Sequence, residues 1–252
     1  MSASICSENL TIQFGGHVAV NKMSCAFYPG QVTAIVGPNG AGKTTYFNLL
    51  SGQLRASYGK VFLANKDISR MGPAGRAQLG IGRAFQLTNL FPHLTVQENI
   101  RLAVQARSGI SYIFWRSASV FKKLEQETEK YLFTTRLNAL ARAPAATLSH
   151  GDQRKLEVAL LLAMQPSIYM FDEPTAGMSI DQAPEVLELI SAIKQDTSST
   201  VLLVEHKMDV VRSLADRILV LHNGELIADG EPEEVMESAL VRQVYLGKRR
   251  DA

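Results

Sequence analysis

The run Gly37-Pro38-Asn39-Gly40-Ala41-Gly42-Lys43-Thr44-Thr45 constrains this chain more than any other stretch. It follows the apolar segment Val32-Thr33-Ala34-Ile35-Val36 and leads into Tyr46-Phe47-Asn48-Leu49-Leu50. The pattern predicts a buried parallel strand, a glycine-rich loop and a helix in immediate succession. Gly37, Gly40 and Gly42 let the backbone curl so that successive N–H groups face inward, and the helix N-terminus adds partial positive charge; together these make a cradle for phosphate. Asn39, Gly40, Ala41 and Gly42 belong to that cradle. Lys43 is expected to reach β- and γ-phosphates, Thr44 to ligate Mg²⁺ through its hydroxyl, and Thr45 to donate to a phosphate nearer the ribose. The expected ligand is a nucleoside triphosphate.

A second motif supplies the other half of such a site. Ile168-Tyr169-Met170-Phe171-Asp172-Glu173 reads as an apolar strand ending in two acids, at the edge of a parallel sheet where ligands bind. Asp172 is placed to hold Mg²⁺, directly or through water. Glu173 is placed to orient and polarise the attacking water as general base. Two acids at a strand end can equally be a solvated cap; a phosphate loop in the same chain favours the catalytic reading.

The remaining pattern defines an α/β fold. Residues 10–14, 23–28 and 60–63 alternate apolar and polar side chains between glycines, which suggests an antiparallel sheet beside the phosphate-loop strand. Residues 200–204 and 217–221 read as further buried strands, with helical patterns at 184–194 and 208–214. Between Asn89 and Gln165 the strand signal vanishes and Leu, Ala, Glu, Lys and Arg recur at helical spacing, so a helical subdomain over about 89–165 is expected within the α/β core. Residues 231–248 read as one or two short helices after a Gly-Glu-Pro turn. At 252 residues the chain is expected to be a single large domain.

Composition narrows the class of function. A net charge of +2 with 20% charged residues gives no basic field, so no nucleic-acid partner is expected. Cys6 and Cys25 are too few for a disulfide framework and suit a reducing compartment as inert thiols. Residues 1–10 lack the basic start and apolar core of a signal peptide, so secretion is not expected. The most apolar window, residues 158–164, stops at Gln165-Pro166, far short of the ~20 residues a spanning helix needs. Residues 109–115 are aromatic-rich but short, and read as a loop or helix packing surface.

These motifs, in this order, resemble the nucleotide-binding subunit of ABC transporters over nearly the whole chain. Leu148-Ser149-His150-Gly151-Asp152-Gln153-Arg154-Lys155 is similar to the family's signature loop, commonly Leu-Ser-Gly-Gly-Gln, and opens a helix through Met164. His150 replaces the first glycine and Asp152 the glutamine, while Ser149 and Gly151 are retained. The resemblance implies that Ser149 and Gly151 meet nucleotide bound by a second subunit. It implies that Gln86 contacts Mg²⁺ or the attacking water, that His206 in Glu205-His206 hydrogen-bonds the γ-phosphate, and that Phe14 stacks on adenine with Val20 as an apolar wall. Ala176-Gly177-Met178-Ser179 falls where the family usually reads Ser-Ala-Leu-Asp, with Asp181 two residues later, which leaves the trans-subunit contact there open.

Phe14-Gly15-Gly16 with Ala19-Val20, the Leu-Ser-His-Gly signature, Thr175-Ala176-Gly177-Met178 and Val244-Tyr245-Leu246-Gly247 resemble the branch that energises uptake of branched-chain or other hydrophobic amino acids, and its urea-uptake relatives. The implied ligands are ATP and Mg²⁺. The implied partners are a second ABC ATPase subunit, in a homo- or heterodimer, integral membrane permease subunits and an extracytoplasmic solute-binding protein. The implied location is the cytoplasmic face of the plasma membrane, held peripherally. Leu90, Phe91 and Leu94 are candidates for the permease socket and equally for subdomain core. Alternatives are a lipopolysaccharide-type export ATPase, separable by the neighbouring permease gene, and a soluble ABC ATPase, which would carry fused cassettes or a long coiled-coil insertion. No Asn-Lys-x-Asp segment specifies guanine.

Overall fold

A computed structural model describes residues 2–84, 90–109, 118–178 and 182–246. Strand β1 (Ile5–Phe14) pairs antiparallel with β2 (His17–Phe27), and β3 (Val32–Val36) feeds through the glycine loop into α1 (Lys43–Ser51). Next come β4 (Tyr58–Leu63), β5 (Lys66–Asp67), α2 (Pro73–Gln78) and β6 (Ile81–Ala84). The helical stretch comprises α3 (Val96–Arg107), α4 (Ala118–Thr134) and α5 (His150–Met164), with single 3-10 turns at Asn138–Leu140 and Ala145–Thr147. The chain continues as β7 (Ile168–Asp172), α6 (Ala183–Lys194), β8 (Thr200–Val204), α7 (Met208–Leu214), β9 (Arg217–His222), β10 (Glu225–Gly230), α8 (Pro232–Glu237) and α9 (Ala239–Leu246).

These elements form two compact units, one of Met1–Ile81, Ser167–Glu173 and Ile193–Ala252, the other of Gly82–Pro166 and Pro174–Ala192. The first holds two sheets. One is antiparallel in the order β2-β1-β4-β5; in the other the order is β10-β9-β3-β8-β7, with β6 beginning at the far edge. Strand β3 runs parallel to both β8 and β9, and β7 runs parallel to β8. The β7–β8 register sets Asp172 opposite Val204, so the acid pair of β7 and the residues after β8 leave the sheet at the same edge. Side chains of α1 (Tyr46, Phe47, Leu49, Leu50) pack in one core with Ile5 and Phe27 of the antiparallel sheet and Ile35 and Met170 of the parallel one. Burying each such side chain contributes about 1.5–3 kcal/mol, which fixes the helix that carries the phosphate loop.

The second unit is helical. Val96, Ile100 and Val104 of α3, Leu124, Tyr131 and Leu132 of α4, and Leu156, Ala159 and Ala163 of α5 form its core. Thr95 starts α3 with a capping box: its hydroxyl accepts from Glu98 N–H at 3.2 Å, while Glu98 accepts from Thr95 N–H at 2.8 Å. Among the described residues no helix is long and apolar enough to cross a membrane.

The antiparallel strands are longer than the alternation predicts, and bulges explain why. In β1 the buried positions are Ile5 and Ser7, then Leu10 and Ile12, a change of phase across Asn9, whose φ is 47°. Lys22, at φ 48°, interrupts β2 similarly. An extra residue flips which face each side chain takes, so a period-2 pattern breaks although the strand continues.

Candidate functional site

The glycine loop owes its shape to close backbone approach. A Cβ on Gly37 would overlap the Leu221 carbonyl oxygen, and one on Gly42 would lie 2.5 Å from Ala19 O. Both residues also have positive φ, at 151° and 96°. Opposite the loop, the β9–β10 turn donates Gly224 N–H to Ala41 O at 3.0 Å and accepts Asn21 N–H at 2.8 Å. Asn39 and Gly40 are exposed at the loop tip, Ala41 is buried, and Thr44 and Thr45 are half-buried in the first turn of α1.

Lys43 is buried, and its ammonium donates to Gly37 O at 2.7 Å and Pro38 O at 3.1 Å. Burial lowers its pKa; the carboxylates of Glu173 and Asp172 oppose that shift and favour the charged form. Asp172 is buried at the end of β7. Glu173 adopts φ 50° just beyond it and donates its N–H to Val204 O at 2.9 Å. That conformation is strained for a residue with a side chain, and here the neighbouring strand holds it.

His206 follows β8 with Nδ1 3.9 Å from Glu173 Oε1 and 3.8 Å from Glu205 Oε2. Glu205 is fully buried, and its carboxylate accepts the N–H of His206 at 2.9 Å and that of Lys207 at 3.2 Å. Sequence reasoning misses this residue; its signal is an acid placed directly after the apolar run of β8. Lys43, Asp172, Glu173 and His206 thus occupy one edge of the parallel sheet. Phe14, at the end of β1, is 49% exposed and available for stacking, whereas Val20 is fully buried in the core. Gln86, Ser179 and Asp181 lie outside the described residues, as does most of the 109–115 segment.

In the helical unit, Ser149 caps α5, accepting Asp152 N–H at 3.2 Å, and its hydroxyl lies 2.6 Å from Asp152 Oδ2. Gly151 abuts the amide end of the Gln182 side chain, which a Cβ there would displace, and the His150 ring lies against Gly177. Phe91 is exposed, while Leu90 packs partly against the core of the unit.

A lysine-bearing glycine loop between a parallel strand and a helix, with an acid pair ending a strand of the same sheet, defines a phosphate-loop nucleoside triphosphatase. Residues 20–176 match the ABC transporter family. The chain is 36% identical over 255 residues to LivG of Escherichia coli, a high-affinity branched-chain amino acid transport ATP-binding protein, covering 98% of this chain and 100% of that one. It is 35% identical over 246 residues to BraF of Pseudomonas aeruginosa, described in the same words, with 96% of each chain covered. The ADP conformation of an ATP-binding cassette of an ABC transporter superposes with a TM-score of 0.81 at 28% identity, over 98% of this chain and 100% of that one. The chain belongs to the ABC transporter family and is one of its ATP-hydrolysing cassettes.

Proposed function

We propose that the chain energises the import of branched-chain or other hydrophobic amino acids, as a peripheral subunit on the cytoplasmic face of the membrane. The likeness to LivG and BraF over nearly the full chain supports the cargo class. In this reading residues 1–252 form a single cassette that docks on integral membrane permeases, and an extracytoplasmic solute-binding protein delivers the cargo. Two cassettes, identical or related, enclose ATP between the phosphate loop of one and Ser149 of the partner subunit.

One observation carries the chemical reading: Glu173 is held by the Val204 carbonyl at a strained φ, beside His206 and within the field of Lys43. Lys43 and the loop amides bind the β- and γ-phosphates, and Phe14 stacks on the adenine. The Thr44 hydroxyl and the Asp172 carboxylate are hard oxygen donors of the kind Mg²⁺ takes, with Gln86 as a further ligand. Held there, Mg²⁺ would neutralise charge on the phosphates. Glu173 accepts a proton from water as the water oxygen bonds to the γ-phosphorus and the bond to the bridging oxygen breaks. His206, beside Glu173, hydrogen-bonds the γ-phosphate.

The test pairs light scattering of Glu173→Gln, with Mg-ATP or ADP, with steady-state hydrolysis by both the variant and the unmutated chain. The reading expects an ATP-locked dimer and turnover reduced at least a hundredfold, within the range general-base catalysis supplies. Normal hydrolysis by the variant would remove Glu173 from its role. Cargo is tested in vesicles carrying the complete complex: ATP-dependent leucine uptake is expected, and uptake of urea instead would reassign the branch.

A further inference from the structure

The signature serine is engaged within its own chain. Its hydroxyl has one proton to give, and the atom 2.6 Å away is a carboxylate oxygen, Asp152 Oδ2. The other oxygen, Oδ1, pairs with Lys155 Nζ at 2.8 Å. Lys155 Nζ also meets Glu185 Oε2 at 3.1 Å, and Arg136 bridges Glu185 at 3.2 Å and Glu188 at 3.0 Å. A chain of opposite charges therefore runs from α6 to the first turn of α5. Burial pushes the Asp152 carboxyl up, but hydrogen bonds from Lys155 and Ser149 and the charge of Lys155 outweigh it and hold Asp152 below the usual carboxylate range. Burial pulls Lys155 down, yet its hydrogen bonds to Asp152 and Glu185 outweigh that and raise it. At neutral pH both are charged, and the serine proton faces an anion.

We propose that Asp152 is a positioning residue that holds the proton of the Ser149 hydroxyl, so that Ser149 must exchange this carboxylate for the γ-phosphate before a shared site can close, with Lys155 setting how readily it does so. The inference rests on the reading that Ser149 meets nucleotide across a dimer. Phosphate and Asp152 are both anionic acceptors and compete for one donor. Lys155 lowers the demand of Asp152 on the serine by occupying its second oxygen, and it offsets a negative charge that would repel phosphate. Thr95 and Glu98 make a similar bond at 2.8 Å in α3, where the hydroxyl serves only the cap. At α5 the same arrangement falls on a hydroxyl with a second task.

The effects are opposite in sign, and a purely structural cap would not show that. In the Glu173→Gln background, Asp152→Gln is expected to lower the ATP concentration for half-maximal dimerisation about tenfold, and Lys155→Met to raise it. The gain from Asp152→Gln is expected to vanish when Ser149 is alanine. Binding of a fluorescent ADP analogue to the single subunit, which uses the phosphate loop and Phe14 but not the first turn of α5, is expected to stay unchanged in every variant, and circular dichroism checks that each is folded. An Asp152→Gln protein that dimerises no better than its parent, or a gain that persists in Ser149→Ala, would overturn the proposal. If parent and variants bind ADP normally yet none dimerises with ATP, the shared-site reading itself fails and takes this inference with it.

Discussion

At the scale of single residues, the site depends on groups whose neighbours leave them little freedom. Glu205 is the clearest: its buried carboxylate gathers two consecutive amides and so fixes the turn that presents His206 to Glu173. Glu205→Ala would remove the buried charged acceptor that both amides share, and a stability loss of about 1–3 kcal/mol is expected in urea unfolding, with hydrolysis reduced alongside. Glu205→Gln keeps an acceptor oxygen and is expected to restore much of both. Equal damage from the two variants would show that the charge, not the hydrogen-bond geometry, matters. Lys43, Asp172 and Glu173 are readable in the sequence because their motifs are local: strand, loop and helix in one case, strand and acid pair in the other. Glu205 is not readable in the same way. Its role comes from burial beside the turn, and no short spacing encodes burial.

At the scale of elements, the buried parallel strands are legible because they are uninterrupted apolar runs with no face to alternate. Strands β1 and β2 are only half legible, since Asn9 and Lys22 shift the phase of burial within them. Strand β10 goes unpredicted, although Asn223-Gly224 between β9 and β10, at φ 49° and 80°, is a strong hairpin signal. Local capping chemistry is testable at this scale. Thr95→Ala removes a hydroxyl that both accepts from Glu98 N–H and donates to the Glu98 carboxylate. It is expected to cost about 1 kcal/mol, read as a melting temperature lowered by roughly 2–4 °C. An unchanged melt would mean that packing against α5 alone sustains the helix start.

At the scale of the whole molecule, pH acts through several carboxylates at once. The Ser69 hydroxyl and amide lower the pKa of Asp67, Thr95 that of Glu98, the Lys155 hydrogen bond that of Glu185, and Ser198 with Ser199 that of Asp196. Asp152 is lowered as well. Each binds its proton less readily folded than unfolded, so each contributes stability above the ordinary carboxylate range that is lost as pH falls through the folded value. Glu157 runs the other way: burial raises its pKa against the pull of Arg154, so its charged form costs stability at neutral pH and protonation relieves that cost. The lowered groups outnumber it, and the melting temperature is expected to fall steadily from about pH 5 to about pH 3. A flat profile there would mean that these hydrogen bonds survive in the unfolded chain.

The grip of the β9–β10 turn on the glycine loop also has a consequence in time. Gly224 closes on Ala41 and Asn21, residues synthesised far earlier. A ribosome needs roughly 10–40 s to add the intervening ~180 residues. Throughout that interval the glycine loop lacks this contact, so the nascent chain is expected to hold nucleotide less well than the finished one. ATP is expected to add its full stabilisation only after Gly224 has been made.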